Sequence, residues 1–241
     1  MNLSEEERLK KISKSYSAKK SFDKYLIEFG SQKILANAKG SNVLELGSAD
    51  GLMTQILSRN FKSVHVVEAS TRYIRILHDK NLRNVKVFGG LFEDFEPEIK
   101  YDDIIMARVL EHVVSPVKIL EHAKNWLKPN GRIHVVVPNA DSLNRRIGQA
   151  MGIIKSRTDL DDHDIRVGHR RVYTKLTLSK HVKKANLQIV FKTGIFLKPL
   201  SNIQMMKWPK KIIDALYVVG DDFPEICTEI YFIVTNKSFR K

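Results

Sequence analysis

The chain has 241 residues, enough for one large α/β domain and few for two. Hydrophobic residues make up 43% and charged residues 28%, an ordinary globular balance, and the single cysteine, Cys227, excludes an intrachain disulfide. No stretch approaches the roughly twenty apolar residues of a membrane span, and the first residues lack the apolar core of a secretory signal, so the expected location is cytoplasmic.

In chain order, residues 1–40 read as amphipathic helices: Leu9, Ile12 and Tyr16, then Phe22, Tyr25, Leu26 and Phe29, recur at spacings of three and four, with Gly40 as the helix stop. Strands and helices then alternate. Strands are expected at Asn42–Leu46, Ser63–Val67, Val85–Phe88, Asp103–Ala107 and Arg132–Val137. Helices fall near Leu52–Ser58, Thr71–His78 and Pro116–Trp126. Apolar strands separated by helical stretches indicate a mostly parallel sheet covered on both faces. After Pro138 the rhythm breaks into a polar, basic and irregular insert at about 140–175, too long for an ordinary connection. Helices near Leu176–Ala185 and Lys210–Val219 and strands near Gln188–Thr193 and Thr228–Thr235 complete the chain. The expected organisation is a helical lid over residues 1–40 and one catalytic domain over 41–241 that carries the insert. Cys227, in an apolar run, reads as a buried structural thiol.

Charge is unevenly spread. The formal net charge is +14, yet residues 42–140 hold 13 Lys/Arg against 12 Asp/Glu, whereas residues 141–211 hold 16 against 5. A basic segment of this kind concentrates an anionic partner, or else serves solubility as a solvated lysine face.

Strand one runs into Glu45-Leu46-Gly47-Ser48-Ala49-Asp50-Gly51, two glycines that open a helix and let backbone approach a ligand closely. Glu68 ends strand two, 21 positions after Gly47, where a carboxylate can accept the hydroxyls of a ribose. Together these point to an adenosine-type cofactor. Ala49 occupies the place of the second glycine of a dinucleotide-binding loop, and Glu45 would repel a pyrophosphate while suiting an amino group and a sulfonium. Charge therefore favours S-adenosylmethionine over a nicotinamide dinucleotide.

ELGSADG resembles the E/D-x-G-x-x-x-G loop of class I S-adenosylmethionine-dependent methyltransferases. YDDIIMARVLEHVVSPVKIL, WLKPNGRIHVVVPN and GHRRVYTKLTLSKHVKKANL are similar to the small-molecule branch, which includes ubiquinone-type and sugar methyltransferases. The resemblance implies a Rossmann-like fold with a seven-stranded sheet. It also implies Glu45, Gly47, Ser48 and Gly51 at the methionine moiety of S-adenosylmethionine, with Glu68 and Ala69 around the ribose, and S-adenosylhomocysteine as product. Gly90 stands where many relatives carry an acid for the adenine, so the flank of Leu91 and Phe92 is expected to hold the ring. Ala107 closes the cofactor side.

For a hydroxyl or amine acceptor the protein must align the nucleophile and remove a proton. His163, His169 and His112 are the candidate bases. His163 sits among Asp161, Asp162 and Asp164, and carboxylates raise the basicity of an imidazole. For His112, expected one helical turn after Arg108, the favoured reading is a hydrogen-bonded helix-packing histidine. The acidic cluster does not fix a ligand geometry, so no metal is assigned. Tyr16, Arg108, Asn139, Arg170, Arg171 and Tyr173 are the candidate acceptor-binding residues; pinning the insert onto the domain is the alternative role of the last three. The expected function is methyl transfer to oxygen or nitrogen of a small polar acceptor, anionic or sugar-like and with phosphorylated or nucleotide-linked molecules included, in surface-polysaccharide or secondary-metabolite biosynthesis. The alternative is an RNA methyltransferase or RNA-binding protein that uses 141–211 as its footprint. Nucleic acid is the less favoured partner, because no RNA-binding module or run of stacking aromatics is present. A homodimer remains open.

Overall fold

The structure is a computed structural model that describes residues 5–18 and 21–237. Its centre is a seven-stranded sheet in the order β3-β2-β1-β4-β5-β7-β6. The strands are β1 Asn42–Leu46, β2 Ser63–Glu68, β3 Val85–Gly89, β4 Tyr101–Ala107, β5 Leu127–Pro138, β6 Leu187–Ile195 and β7 Glu229–Asn236. β1 to β5 pair in parallel, and β7 runs antiparallel between β5 and β6. Sequential β-helix-β units force the parallel half, because parallel neighbours need a crossover. The order reverses beside β1, and the carboxyl ends of β1 and β4 open a crevice there.

Alternate residues of each buried strand feed opposite faces. Leu44 and Leu46 of β1 join a core with Ile119, Leu120 and Ala123 of α5 (Pro116–Trp126) and Leu178 and Val182 of α8 (Lys175–Lys184). Val43 joins the other core, with Leu26 and Phe29 of α2 (Asp23–Leu35), Leu57 of α3 (Leu52–Asn60) and Ile213 of α10 (Lys210–Val219). This period-two division is what helices on both faces require. α4 (Thr71–Asp79) follows β2, and α1 (Glu5–Ser15) lies against it.

Three expectations need correction. The helix before β1 ends at Leu35, so Gly40 is not its stop. A Cβ at Gly40 would lie 1.8 Å from that of Asp102, and glycine is required there for close approach. β5 begins at Leu127, five residues before the expected Arg132, with a register shift opposite Tyr101 and Asp103. The insert is only partly irregular, for it contains α6 (Leu143–Ala150) and α7 (Asp162–Val167). Asp161 caps α7 by accepting from the Asp164 N–H, and Gly168 ends it at φ 83°. A short helix, α9 (Asn202–Met205), follows β6. Cys227 is buried, as its apolar setting predicts, and burial pushes its thiol up to about 12. Among the described residues, no helix is long and apolar enough to cross a membrane.

Candidate functional site

A cavity of about 300 Å³ opens over the carboxyl ends of β1, β2, β4 and β5 and is closed by the N-terminal helices and the insert. At one end lies the glycine loop. Gly47 turns at φ 74°, a left-handed conformation that side-chain-bearing residues rarely adopt, and Phe92 and Val109 lie in ordinary contact range of it. Ala49 takes φ 45°, a left-handed conformation that costs an L-residue roughly 1–2 kcal/mol. Glu68 holds that turn: its Oε2 accepts from the backbone N–H groups of Ser48 (3.0 Å) and Ala49 (3.2 Å), and Oε1 accepts only from Ser70 N–H (2.8 Å). One oxygen of Glu68 is therefore filled by the loop, and the other retains capacity for a ligand hydroxyl.

Glu45 is 2% exposed, accepts from the Thr54 hydroxyl at 2.6 Å and lines the cavity. Burial pushes its carboxyl up to about 8. Such an acid is short of a positive neighbour, which a cationic ligand would supply. Ser48, Ala69, Leu91, Phe92 and Ala107 share the same wall. Gly51 does not line the cavity. At φ 71° it starts α3, and a Cβ would lie 2.5 Å from Leu77, so its smallness serves the packing of α3 on α4.

At the other end the insert brings His163 and His169 to the cavity, beside His112 from the turn after β4. His169 Nδ1 lies 2.7 Å from Asp164 Oδ1, whose partner oxygen lies 3.1 Å from Arg145. The His169 imidazole and the Arg145 guanidinium pull the Asp164 carboxyl down to about 2, despite burial, so it stays ionised and orients the ring. His163 is also depressed, chiefly by burial. His112 is pushed down to about 3 by burial and the neighbouring His169, and its Nδ1 lies 3.3 Å from Gly168 O. A group so hard to protonate is a poor base; His112 lies in a turn, not on the expected helix, and packs there against His169 and Gly168. Glu111, fully buried, has neither carboxylate oxygen hydrogen-bonded among the described residues, and burial lifts it to about 7. Glu111, His112 and His169 bring one ligand atom each within 4.8 Å of one another, a spacing that could hold a cation. Asp161 and Asp164 are instead spent on the α7 cap and on Arg145.

Between these ends runs a polar wall of which sequence reasoning named only Tyr16 and Arg108. Arg108 leaves β4 at φ 59°; its Nε lies 2.5 Å from Glu229 and its Nη1 3.4 Å from Asp23. Tyr16 donates its hydroxyl to Asp23 at 3.0 Å, and the Asn202 amide donates to the other oxygen of Asp23 at 3.2 Å. Lys198 in turn donates to the Asn202 oxygen at 2.8 Å. Asp23, Glu229, Lys198 and Asn202 all line the cavity, and none sits in a local motif.

The remaining expected acceptor residues are used elsewhere. Asn139 lines the cavity, but its amide donates to Glu225 O and Cys227 O and its oxygen accepts from Asp141 N. Arg170, Arg171 and Tyr173 lie outside the cavity lining. Arg170 binds His112 O and Glu5, Arg171 binds Leu110 O and Val113 O, and Tyr173 donates to Leu110 O. These contacts pin the insert and α1 to the turn after β4.

A family model described as "Methyltransferase domain" matches residues 18–191. Among curated relatives, the ubiquinone biosynthesis O-methyltransferase of Xylella fastidiosa is 29% identical over 105 residues, 42% of this chain and 43% of that protein. The match thus spans less than half of that relative's length. The enzyme of the same name from Bradyrhizobium diazoefficiens is 27% identical over 190 residues, 75% of this chain and 70% of its own. Among solved structures, a Leishmania major S-adenosylmethionine-dependent methyltransferase superimposes with a TM-score of 0.66 at 14% identity, over 96% of this chain and 83% of that one. The N-methyltransferase NodS from Bradyrhizobium japonicum, solved with S-adenosylhomocysteine, gives 0.58 at 15%, over 90% and 88%.

Proposed function

The chain belongs to the methyltransferase-domain family, and from that premise we propose that it transfers a methyl group from S-adenosylmethionine to an oxygen or nitrogen of a small polar acceptor. The observation that carries this reading is one cavity with a carboxylate-edged glycine loop at one end and an Asp-oriented histidine at the other. The fit to the donor rests on the loop: Glu45 is buried without a cationic partner, and Glu68 keeps one oxygen available beside Ala69. When bound, the donor supplies a methyl group already activated on a sulfonium.

The protein's own work is then alignment and proton removal. Asp164 accepts the Nδ1 proton of His169 and leaves Nε2 as the proton acceptor for a hydroxyl or amine, with the ring held against His112. Tyr16 and the paired Arg108 form the side wall and exclude water. The names of the curated relatives favour oxygen as the methylated atom. An anionic or sugar-like acceptor, from surface-polysaccharide or secondary-metabolite synthesis, remains our reading of its class. α1 and α2 are proposed to act as the lid.

Calorimetry should show uptake of S-adenosylmethionine and S-adenosylhomocysteine and none of a nicotinamide dinucleotide; the reverse result removes the reading. With a panel of phenols, sugars and amines, labelled methyl should move to one class, and His169→Gln should abolish transfer while leaving donor binding intact.

A further inference from the structure

Among the described residues, three Lys or Arg side chains line the cavity: Arg108, Arg145 and Lys198. Arg108 is committed to Glu229 and Asp23. Arg145 is committed to Asp161, Asp164 and the carbonyls of Arg157 and Asp159. Lys198 differs. Among the described residues its ammonium makes one hydrogen bond, to the neutral amide oxygen of Asn202, and it forms no salt bridge. Asp23, the carboxylate on the far side of Asn202, is already shared by Tyr16, Arg108 and Asn202.

From this geometry we infer that Lys198 is an anion subsite, whose Nζ donates its remaining hydrogens to a carboxylate or phosphate oxygen of the acceptor. The inference rests on the methyl-transfer reading and moves the anion contact away from Arg170 and Arg171, which are bound to backbone carbonyls and Glu5. Burial pushes the Lys198 ammonium down to about 8, more than Asp23 and Glu229 recover. Asp23, Glu229 and Asp161 favour its charged form, yet none of them makes a salt bridge with it among the described residues, and an anion arriving in the cavity would add a direct partner. Lys198 carries no local sequence signal: it follows β6 by three residues, in a segment that reads as irregular.

The full chain saturated with S-adenosylhomocysteine is titrated calorimetrically with benzoate in one arm and inorganic phosphate in the other. Binding of either anion is expected, weakened about tenfold or more in Lys198→Met and recovered to within about threefold in Lys198→Arg. The arm that binds tells carboxylate from phosphate. No binding in either arm, or equal affinity in wild type and Lys198→Met, overturns the subsite. Should Lys198→Met fail to fold, the wild-type Lys198 Nζ followed by NMR serves instead. Its pKa should rise by about one unit or more on anion saturation, and an unmoved value overturns the subsite. Failure of the wild type to bind S-adenosylhomocysteine strikes the methyl-transfer reading, not this one.

Discussion

At the glycine-loop end of the cavity, the lining groups come from consecutive strand-turn-helix units between Glu45 and Phe92. At the acceptor end they come from the first helices, the exit of β4, the insert, the segment after β6 and the start of β7. The first end is held locally: the Glu68 carboxylate fixes the loop N–H groups, and the chain order does the rest. The second is held by side-chain charge, with Asp23, Arg108 and Glu229 joined across more than 200 positions of sequence. The loop end is therefore vulnerable at one carboxylate, the other at every member of a buried ion set.

Arg108→Met tests that contrast most severely. It leaves Glu229 and Asp23, 2% and 3% exposed, without their cation. Breaking a buried pair costs about 3–5 kcal/mol, read as a lowered urea midpoint. A loss below about 1 kcal/mol would mean that the wall relaxes, and the contrast would fail. His169→Gln should lower stability less, because Arg145 still faces Asp164, and lower kcat by on the order of a hundredfold or more, the usual share of a positioned base. Asp164→Asn should reproduce part of that loss, because the ring then loses its fixed tautomer.

These same two ends differ in how far the sequence disclosed them. β1, α5 and α10 end where hydrophobic periodicity places them, since each is an apolar run bounded by glycine, proline or polar residues. Glu45, Gly47 and Glu68 were legible because a ligand loop is local and its spacing is set by one crossover. Asp23, Lys198, Asn202 and Glu229 were not. Each is a single polar residue whose meaning arises only when the sheet order brings β7 beside β5 and the first helices over the crevice. α7 did carry a signal, Asp161 three residues before Asp164 with Gly168 beyond, which the basic character of the insert obscured. The excess of lysine and arginine in 141–211 divides once folded: Arg145 and Arg171 are internal fasteners, whereas Lys198 lines the cavity.

The loop end has its own electrostatic test, smaller in effect. Glu45 is held neutral by burial up to about pH 8 in the unliganded protein. A cationic donor beside it lowers that value, so binding releases a proton and affinity rises with pH, by up to about tenfold per unit below pH 8. Folding has the opposite sign. The folded value lies above the ordinary one, so the stabilising share of Glu45 is whole below about pH 4.5 and is lost as pH rises through 8. Glu45→Gln should flatten the rise in donor affinity, measured by calorimetry at pH 6, 7 and 8. A slope unchanged by that substitution would place the proton elsewhere.

The smallest effect is expected where residue type promised a large one. Arg171 donates to the carbonyls of Leu110 and Val113 in the turn that follows Arg108, and its side chain stays outside the cavity lining. Arg171→Ala removes three charge-assisted bonds to a part-buried turn, to the carbonyls of Leu110, Val113 and Val114, for a loss of about 1–2 kcal/mol of stability. Its effect on acceptor KM should stay within about twofold, because it holds the Val113 and Val114 carbonyls from outside and its own side chain does not line the cavity. That is below what loss of a bound anion's partner produces, which is typically tenfold or more. If Arg171→Ala raised KM tenfold at unchanged stability, the guanidinium would be reaching the acceptor after all. The acceptor end would then be built by the basic insert and not by the buried ions around Arg108.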